Sequence, residues 1–366
     1  MDQFRIDSHK LMYHPDRIAQ WQAAGEEWEK AKSVYPLYIE IAPAGACNHR
    51  CTFCAVDYIG YKTRTLEKDL LISRVEEMAQ RGVKSIMYAG EGEPLLHRHI
   101  GDIIVRTQKA GIDVALTTNA VALNEHLLHE ALGSITWIKA SVNAGTKESY
   151  SAIHKTKADD FDRVFRNLAK AAELKQANRY KCAIGVQMVL LPENEHEAVA
   201  LATRAKEAGA DYTVIKPYSQ HLMSLTTMAK GYKDYDYGHV LPLEEQLQAL
   251  ETDRFKVIFR RRTMEKLIEN DRRYSVCQAT PFFWAYVMAS GDVYGCSAYL
   301  EDQRFCYGNI NERSFTDIWE GEARRRNFEF VLHELNISEC RQNCRMDEVN
   351  RYLWDLQHPP AHVNFI

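Results

Sequence analysis

Between residues 37 and 217, short apolar runs alternate with longer amphipathic segments, and this alternation restricts the chain to few folds. The runs predict β-strands at 37–42, 85–89, 113–117, 137–141, 183–190 and 212–215. The segments between them predict helices at 66–81, 98–110, 125–132, 159–174 and 195–208. Strands that alternate with helices form a parallel sheet with right-handed crossovers. The pattern therefore predicts an α/β fold, a partial (β/α)6 TIM-like barrel.

The remaining segments suggest three further units. Residues 1–36 predict an N-terminal helical arm, and residues 218–270 predict a helical linker region after the barrel of residues 37–217. Residues 271–366 hold five of the nine cysteines, and this shift in composition predicts a small C-terminal α+β module. Within the linker, the basic run 260–262 is typical of a solvated face, with contact to an acidic substrate as the alternative.

Composition excludes several classes of protein. The chain has 366 residues, 46% of them hydrophobic, which permits a large core and argues against disorder. A formal net charge of −4 favours neither nucleic acid nor an anionic membrane as a partner. The N-terminal segment has no apolar signal region, and no apolar run is long enough to span a bilayer. We therefore expect a cytoplasmic protein without a membrane partner, whose cysteines are metal ligands rather than disulfides.

Three cysteines, Cys47, Cys51 and Cys54, follow the first predicted strand in a CxxxCxxC pattern. Three thiolates suit three irons of a [4Fe–4S] cluster and leave the fourth iron without a protein ligand. A structural zinc loop is the alternative, but zinc needs four ligands, and His49 would be awkwardly placed as the fourth. The motif lies at the carboxyl end of a strand, where such barrels build their sites, and this favours the cluster.

This cysteine motif resembles that of the radical S-adenosylmethionine (radical SAM) family, and a second motif agrees with it. The turn Gly90-Glu91-Gly92-Glu93-Pro94 follows the second strand and is similar to the family's GGEP motif. The resemblance implies that SAM binds the open iron and that Phe53 lies against its adenine. It also implies that Gly92 lets the backbone approach the methionine moiety. Glu93, which directly precedes Pro94, would face the ammonium group.

Polar residues at the ends of later strands supply further candidates for SAM contacts. In the related proteins such positions touch the SAM ribose or carboxylate, and the candidates here are Asn119, Ser141, Asn143 and Gln187. Taken singly, each could equally be a strand cap or a loop hydrogen bond. The general acid or base, if the reaction uses one, is not identified by the sequence; the candidates are Tyr58, His97, His154, Lys216 and Tyr218.

The C-terminal cysteines resemble the auxiliary-cluster modules called SPASM and twitch. Cys277, Gly291 and Cys296 give the pattern C-x13-G-x4-C, and Cys340 and Cys344 complete the set. These four thiolates would hold one auxiliary [4Fe–4S] cluster on all its irons. Cys306 is left over as an alternative ligand, and a structural zinc site is the alternative for the whole set.

The resemblance implies a specific reaction. The enzyme would cleave SAM reductively to a 5′-deoxyadenosyl radical, with electrons from a partner such as flavodoxin or ferredoxin. The radical would abstract a hydrogen atom from a small polar substrate, such as a sugar, an aminocyclitol or a nucleotide-like molecule. With the auxiliary cluster transferring an electron, the outcome would be oxidation, decarboxylation or epimerisation.

Two alternatives to a small-molecule enzyme remain open. A ribosomal-peptide-modifying SPASM enzyme is the first, although residues 1–36 are too few for the usual peptide-recognition domain. The second is a non-catalytic iron–sulfur electron carrier, which would have no use for the motif at Glu93 and Pro94.

The C-terminal tail predicts a helix that packs back on the barrel. Asp347 and Asn350 follow the last cysteine, and we expect them at solvent-exposed positions of this helix, with the active site as the alternative.

Overall fold

The computed structural model describes residues 4–228 and 230–365, and its core is one ten-stranded sheet. The strand order is β10-β9-β8-β1-β2-β3-β4-β5-β6-β7. The strands are β1 Tyr38–Ile41, β2 Ser85–Tyr88, β3 Asp113–Thr118, β4 Trp137–Ser141, β5 Ala183–Leu190, β6 Tyr212–Pro217, β7 Lys256–Phe259, β8 Trp284–Val287, β9 Asp292–Tyr294 and β10 Cys306–Asn309.

The six predicted strands form the parallel sheet in chain order, which confirms the partial barrel. The sheet is larger than predicted, because β7 from the predicted linker pairs in parallel with β6, and β8 pairs in parallel with β1. Within the described residues β7 and β8 do not pair with each other, so the barrel stays open between them.

Among the described residues, fifteen α-helices accompany the sheet, and those between consecutive parallel strands cover its outer face. They are α1 Pro15–Ala24, α2 Trp28–Ala31, α3 Lys68–Gln80, α4 Ile100–Lys109, α5 Glu125–Ala131, α6 Lys147–His154, α7 Asp159–Asn178, α8 Ala198–Glu207, α9 Leu225–Met228, α10 Leu243–Gln248, α11 Arg261–Glu269, α12 Thr280–Phe283, α13 Phe315–Trp319, α14 Glu322–His333 and α15 Asp347–Gln357. None of the described helices is both long and apolar enough to cross a membrane.

Side chains of the parallel strands alternate between two environments. In β1, Ile39 and Ile41 belong to the large apolar core under the helices, whereas Glu40 lines a cavity inside the barrel. In β4, Ile138 faces the same core and Lys139 the same cavity. Successive side chains of a strand point to opposite faces, so the outer positions supply the packing and the inner positions can carry polar groups.

The helix ends follow the chain's local chemistry. Asn124 and Thr146 accept hydrogen bonds from backbone N–H groups in the first turns of α5 and α6, as N-cap residues do. After α3, Gly82 adopts a φ of 85°, a left-handed conformation that ends the helix and that glycine adopts without strain.

The C-terminal module begins with a hairpin that extends the sheet. Strands β8, β9 and β10 are antiparallel neighbours, and Gly291 turns between β8 and β9 with a φ of 92°. The N-terminal helices pack on this module: the rings of Trp28 and Phe328 lie 5.7 Å apart between centroids. The two ends of the chain therefore share one apolar cluster.

Candidate active site

One cavity of about 590 Å³ inside the barrel collects most of the predicted site residues. Its walls include all three cysteines of the CxxxCxxC motif and also Cys344 of the C-terminal set. A second cavity of about 690 Å³ lies beside β7 and residues 4–8, and no cysteine or histidine lines it. The chemistry-bearing side chains place the candidate active site in the first cavity.

The cysteine loop is held in place by the end of α6 and by its own arginine. The backbone N–H of Arg50 donates to the carbonyl of His154 at 3.0 Å, and that of Thr52 donates to Ile153 at 2.8 Å. The Arg50 guanidinium donates to the carbonyl oxygens of Cys47 and His49 at 2.7 and 2.6 Å. A loop without regular structure is thus ordered, so it can present its three thiols at fixed positions.

Burial makes these thiols difficult to deprotonate unless a cation binds them. It raises the pKa of Cys47 to about 11, and it raises the pKa of Cys51 and of Cys54 as well. A bound metal stabilises the deprotonated form and offsets this cost. Three thiols in one cavity wall, with polar neighbours such as His154 Nδ1 at 3.1 Å from Cys51 Sγ, therefore fit an iron–sulfur cluster.

A single zinc ion fits this loop less well. Among the described residues, one set of three possible ligands has its atoms within 4.8 Å of one another, namely His49, Cys51 and His154. Cys47 and Cys54 lie outside that set, so the thiols of the motif are spread more widely than one tetrahedral ion requires.

The second motif contacts the cysteine loop through a close backbone approach. A Cβ on Gly92 would lie 2.3 Å from the carbonyl oxygen of Ala44 and 2.4 Å from that of Ala46, so this position has room for glycine alone. The next N–H, of Glu93, donates to the Ala46 carbonyl at 2.8 Å. The two motifs are therefore one structural unit at the carboxyl ends of β1 and β2.

Glu93 lines the cavity, and its carboxylate is also tied to the protein. It accepts hydrogen bonds from the Thr118 hydroxyl at 2.5 Å and from the backbone N–H groups of Asn119 and Leu95 at 2.8 and 3.1 Å. Burial raises the pKa of Glu93 to about 6, and these three hydrogen bonds oppose the rise. The carboxylate thus links the turn after β2 to the turn after β3.

The other predicted SAM contacts divide into two groups. Phe53, Asn119, Ser141 and Gln187 line the cavity, and Ser141 and Gln187 lie opposite each other in the β4–β5 register. Asn143 and Pro94 do not line it. The Asn143 side chain is fully buried, and its Oδ1 accepts from the Val189 N–H at 2.8 Å.

The acid–base candidates divide in the same way. His154, Lys216 and Tyr218 line the cavity. His97 lies outside it, with its Nε2 hydrogen-bonded to the Leu66 carbonyl at 2.9 Å. Tyr58 also lies outside, with its ring stacked on His221 at 5.3 Å between centroids.

The four cysteines of the C-terminal set each lie beside a hydrogen-bond donor. Two donors are side chains: Asn350 Nδ2 lies 3.4 Å from Cys277 Sγ, and the Tyr299 hydroxyl lies 3.2 Å from Cys340 Sγ. Two are backbone N–H groups: that of Ala298 lies 3.5 Å from Cys296 Sγ, and that of Met346 lies 3.3 Å from Cys344 Sγ. Donors aimed at sulfur stabilise negative charge on a thiolate-ligated cluster. These residues therefore fit a fully ligated cluster. Cys306 stands apart, opposite Tyr294 in the β9–β10 register.

The predicted exposure of Asp347 and Asn350 is wrong, because both are buried. Asp347 lines the cavity and pairs with Lys266 at 2.6 Å. Asn350 Oδ1 accepts from two backbone N–H groups, those of Gln278 and Ala279, both at 2.8 Å. The helical pattern did predict α15, but the face that α15 turns inward depends on packing partners distant in sequence.

Several charged residues of the cavity were missed by the motif search. Glu40 and Lys139 come from the inner face of β1 and β4, and Arg341 and Arg345 come from the last cysteine loop. Arg345 pairs with Glu40 at 2.6 Å and joins the module to the barrel. A charge within an otherwise apolar strand was the available signal, since such a side chain must face a polar interior.

Family models for known domains match both halves of this arrangement. The model described as the radical SAM superfamily matches residues 41–205, and the model of the SPASM iron–sulfur cluster-binding domain matches residues 277–345. The chain thus carries a radical SAM domain followed by a SPASM domain. The match to the SPASM domain identifies the C-terminal cysteines as part of an iron–sulfur module, so both resemblances found in the sequence are confirmed.

Two relatives are similar over different parts of the chain. The tungsten-containing aldehyde ferredoxin oxidoreductase cofactor-modifying protein of Pyrococcus furiosus is 22% identical over 83% of this chain and 85% of its own. The GTP 3′,8-cyclase of Chlorobaculum tepidum is 34% identical over 36% of this chain and 39% of its own. The chain thus spans well under half of that cyclase.

Solved structures show the same fold. SuiB of Streptococcus suis, solved bound to the precursor peptide SuiA, gives a TM-score of 0.61 at 18% identity, covering 85% of this chain and 69% of SuiB. The enzyme anSMEcpe with bound AdoMet gives 0.56 at 20% identity, covering 86% and 88%.

The two matched domains define the cofactors. The radical SAM domain uses SAM and a [4Fe–4S] cluster, and the SPASM domain adds auxiliary iron–sulfur binding. The fit of the two thiol sets agrees with this, so the predicted cofactors are confirmed.

Proposed function

We propose that this radical SAM enzyme abstracts a hydrogen atom from a small polar molecule and completes a net oxidation, decarboxylation or epimerisation. The observation that carries the proposal is the shared cavity, which Cys47, Cys51 and Cys54 line together with Cys344. A substrate in that cavity would lie between the two thiol sets. Bound SAM and its cluster supply the hydrogen-abstracting radical, and the protein supplies binding, orientation and exclusion of water.

The cavity wall offers a consistent set of contacts for SAM. Phe53 would lie against the adenine, and the glycine at position 92 lets the backbone approach the methionine moiety. Glu93 would hold the ammonium group through the lone pairs that its three protein donors leave free. Asn119, Ser141 and Gln187 are the proposed polar contacts at the strand ends.

The auxiliary module would exchange electrons rather than bind substrate. Cys277, Cys296, Cys340 and Cys344 supply four thiolates, enough to ligate every iron of a cubane cluster. Four hydrogen-bond donors at the sulfurs would favour a reduced, more negatively charged state. An external reductant such as flavodoxin or ferredoxin would deliver the first electron to the SAM-binding cluster.

A small substrate agrees with the size of the cavity, since about 590 Å³ falls in the range of small-molecule sites. A ribosomally made peptide is the second candidate substrate. It is favoured by the likeness of fold to SuiB, which was solved with a precursor peptide. A peptide would enter through the open side of the barrel and place one residue in the cavity.

The test is SAM cleavage by the anaerobically reconstituted protein. With dithionite and SAM we expect 5′-deoxyadenosine from the unchanged protein and from a control with Cys182→Ser. That cysteine is buried and does not line the cavity. Adding either the low-molecular-mass fraction or the peptide fraction of a cell extract then separates the two substrates. Absence of 5′-deoxyadenosine in every mixture would contradict the proposal.

A further inference from the structure

The cavity holds two lysines that form no ion pair within the described residues. Lys139 projects from β4 and Lys216 from the end of β6, and both line the cavity. No described carboxylate forms an ion pair with either ammonium group. Lys139 makes a cation–π contact with the ring of Trp137, whose centroid lies 5.2 Å from Nζ.

The other cations of the cavity differ, because most of them have acidic partners. Arg345 pairs with Glu40 at 2.6 Å, and Arg260 pairs with Asp7 at 3.0 Å. Arg341 is the exception. Its Nη2 donates to the Ser297 hydroxyl at 3.3 Å, while its buried Nε has no hydrogen-bond partner in the described part of the chain.

These cations repel one another in a partly desolvated space. Burial, together with the positive charges of Arg345 and Arg260, lowers the pKa of Lys139 to about 8, while Glu40 opposes this shift. Burial lowers the pKa of Lys216 as well, with Lys139 as the largest charged contributor, followed by Arg260, Arg345 and Arg341. Uncompensated like charges destabilise the empty cavity, and a bound anion would remove that cost.

The two lysines are separated from the proposed SAM contacts in different ways, and Lys216 comes from β6, a strand that carries none of those contacts. Lys139 lies two residues before Ser141 along β4, deeper in the barrel than the strand ends that carry the proposed SAM site. Arg341, which belongs to the loop between Cys340 and Cys344, approaches from the auxiliary module. An anion bound by the lysines would therefore leave the cysteine loop free to hold SAM.

We propose that the substrate carries at least two negative charges, as phosphate or carboxylate groups, which Lys139 and Lys216 bind inside the barrel. This inference rests on the proposed function, because it names the class of molecule that occupies the same cavity. Arg341 contributes to the same anion from the side of the module. Sugars without charged groups, and aminocyclitols with their positively charged amines, are accordingly poor substrates.

The experiment measures anion binding to the reconstituted protein, saturated with SAM, by isothermal titration calorimetry. Pyrophosphate represents phosphate groups, and tricarballylate represents carboxylates. We expect Lys139→Gln and Lys216→Gln each to weaken binding roughly tenfold, since a hydrogen bond to a charged group contributes on the order of 1.5 kcal/mol. The control is Lys109→Gln, at the exposed end of α4, which should change nothing.

Each outcome bears on the inference. Binding of pyrophosphate alone assigns a phosphate, binding of tricarballylate alone assigns carboxylates, and binding of both supports the shared charge requirement. The charge-preserving variants Lys139→Arg and Lys216→Arg should keep binding, which distinguishes lost charge from a damaged fold. Binding of neither anion, or binding that SAM displaces, would overturn the inference. The proposed function is tested separately, by measuring the 5′-deoxyadenosine that forms without any added anion.

Discussion

At the scale of single residues, the cavity owes its character to charges at inner positions of strands. Glu40 and Lys139 occupy strand positions that in a doubly covered parallel sheet are usually apolar. The sequence identifies such residues as unusual, but the partner of Glu40 comes from a loop hundreds of residues away. Arg345 reaches Glu40 across 305 positions of sequence. Motif residues such as Cys47 could therefore be predicted, and the ion pairs around them could not.

The charge of Lys139 predicts how anion binding depends on pH. The lowered pKa, about 8, means that the side chain loses its proton well before an ordinary lysine does. Anion binding favours the protonated form, so it takes up protons and weakens as the pH rises from about 7 to about 9.5. Tricarballylate, whose charge is constant over this range, should show a rising Kd, and Lys139→Arg should flatten the curve. A Kd of the unchanged protein that does not vary with pH would contradict this assignment.

At the scale of elements, the alternation of strands and helices was sufficient to predict the barrel. The prediction failed where strands far apart in sequence pair with each other. Strand β8 pairs with β1 across 246 positions, and the local sequence of neither strand identifies the other as its partner. The short strand β7 lies between helical segments and extends the sheet past the expected six strands.

The turn after β2 predicts a selective loss in Gly92→Ala. The added Cβ would meet the carbonyl oxygens of Ala44 and Ala46 at under 2.5 Å, which forces the cysteine loop to move. We expect loss of the SAM-binding cluster and of SAM affinity, with about four irons retained by the auxiliary module. The matched control is Gly238→Ala, where the nearest atom is the Asp236 carboxylate at 3.2 Å. Iron analysis and SAM titration measure these losses. A full iron complement in Gly92→Ala would show that the added Cβ does not displace the cysteine loop.

The contact of the N-terminal helices with the C-terminal module predicts a large effect of Arg324→Lys. Arg324 is fully buried, lies 3.9 Å above the Trp319 ring and donates to the carbonyl oxygens of Pro281 and Ala31. Lysine cannot reproduce this fork of donors. We expect the free energy of unfolding to fall by about 3 kcal/mol in urea denaturation.

The neighbouring residue Arg325 supplies the control for that prediction. Arg325 is exposed and pairs with Glu329 at 3.1 Å on the helix surface. Arg325→Lys should change the free energy of unfolding by less than about 0.5 kcal/mol. Equal effects of the two substitutions would show that the hydrogen bonds of the buried Arg324 guanidinium do not join the two ends of the chain.

At the scale of the whole molecule, a barrel and a C-terminal iron–sulfur module share one cavity. The sequence predicted both thiol sets and the fold that carries them. It could not predict that Cys344 lines the same cavity as Cys47, because the two cysteines are brought together by the β1–β8 pairing and by α15. A substrate in the joint cavity would lie within reach of both proposed clusters, as the proposed net redox outcome requires.

The central claim is that two independent thiol sets hold two clusters and that only the N-terminal one cleaves SAM. Replacing Cys47, Cys51 and Cys54 together by alanine tests it most directly, with iron content, electron paramagnetic resonance and 5′-deoxyadenosine measured on one preparation. We predict about four irons per chain, a spectrum that SAM does not perturb and no 5′-deoxyadenosine. A triple variant without iron, or one that still cleaves SAM, would contradict the account.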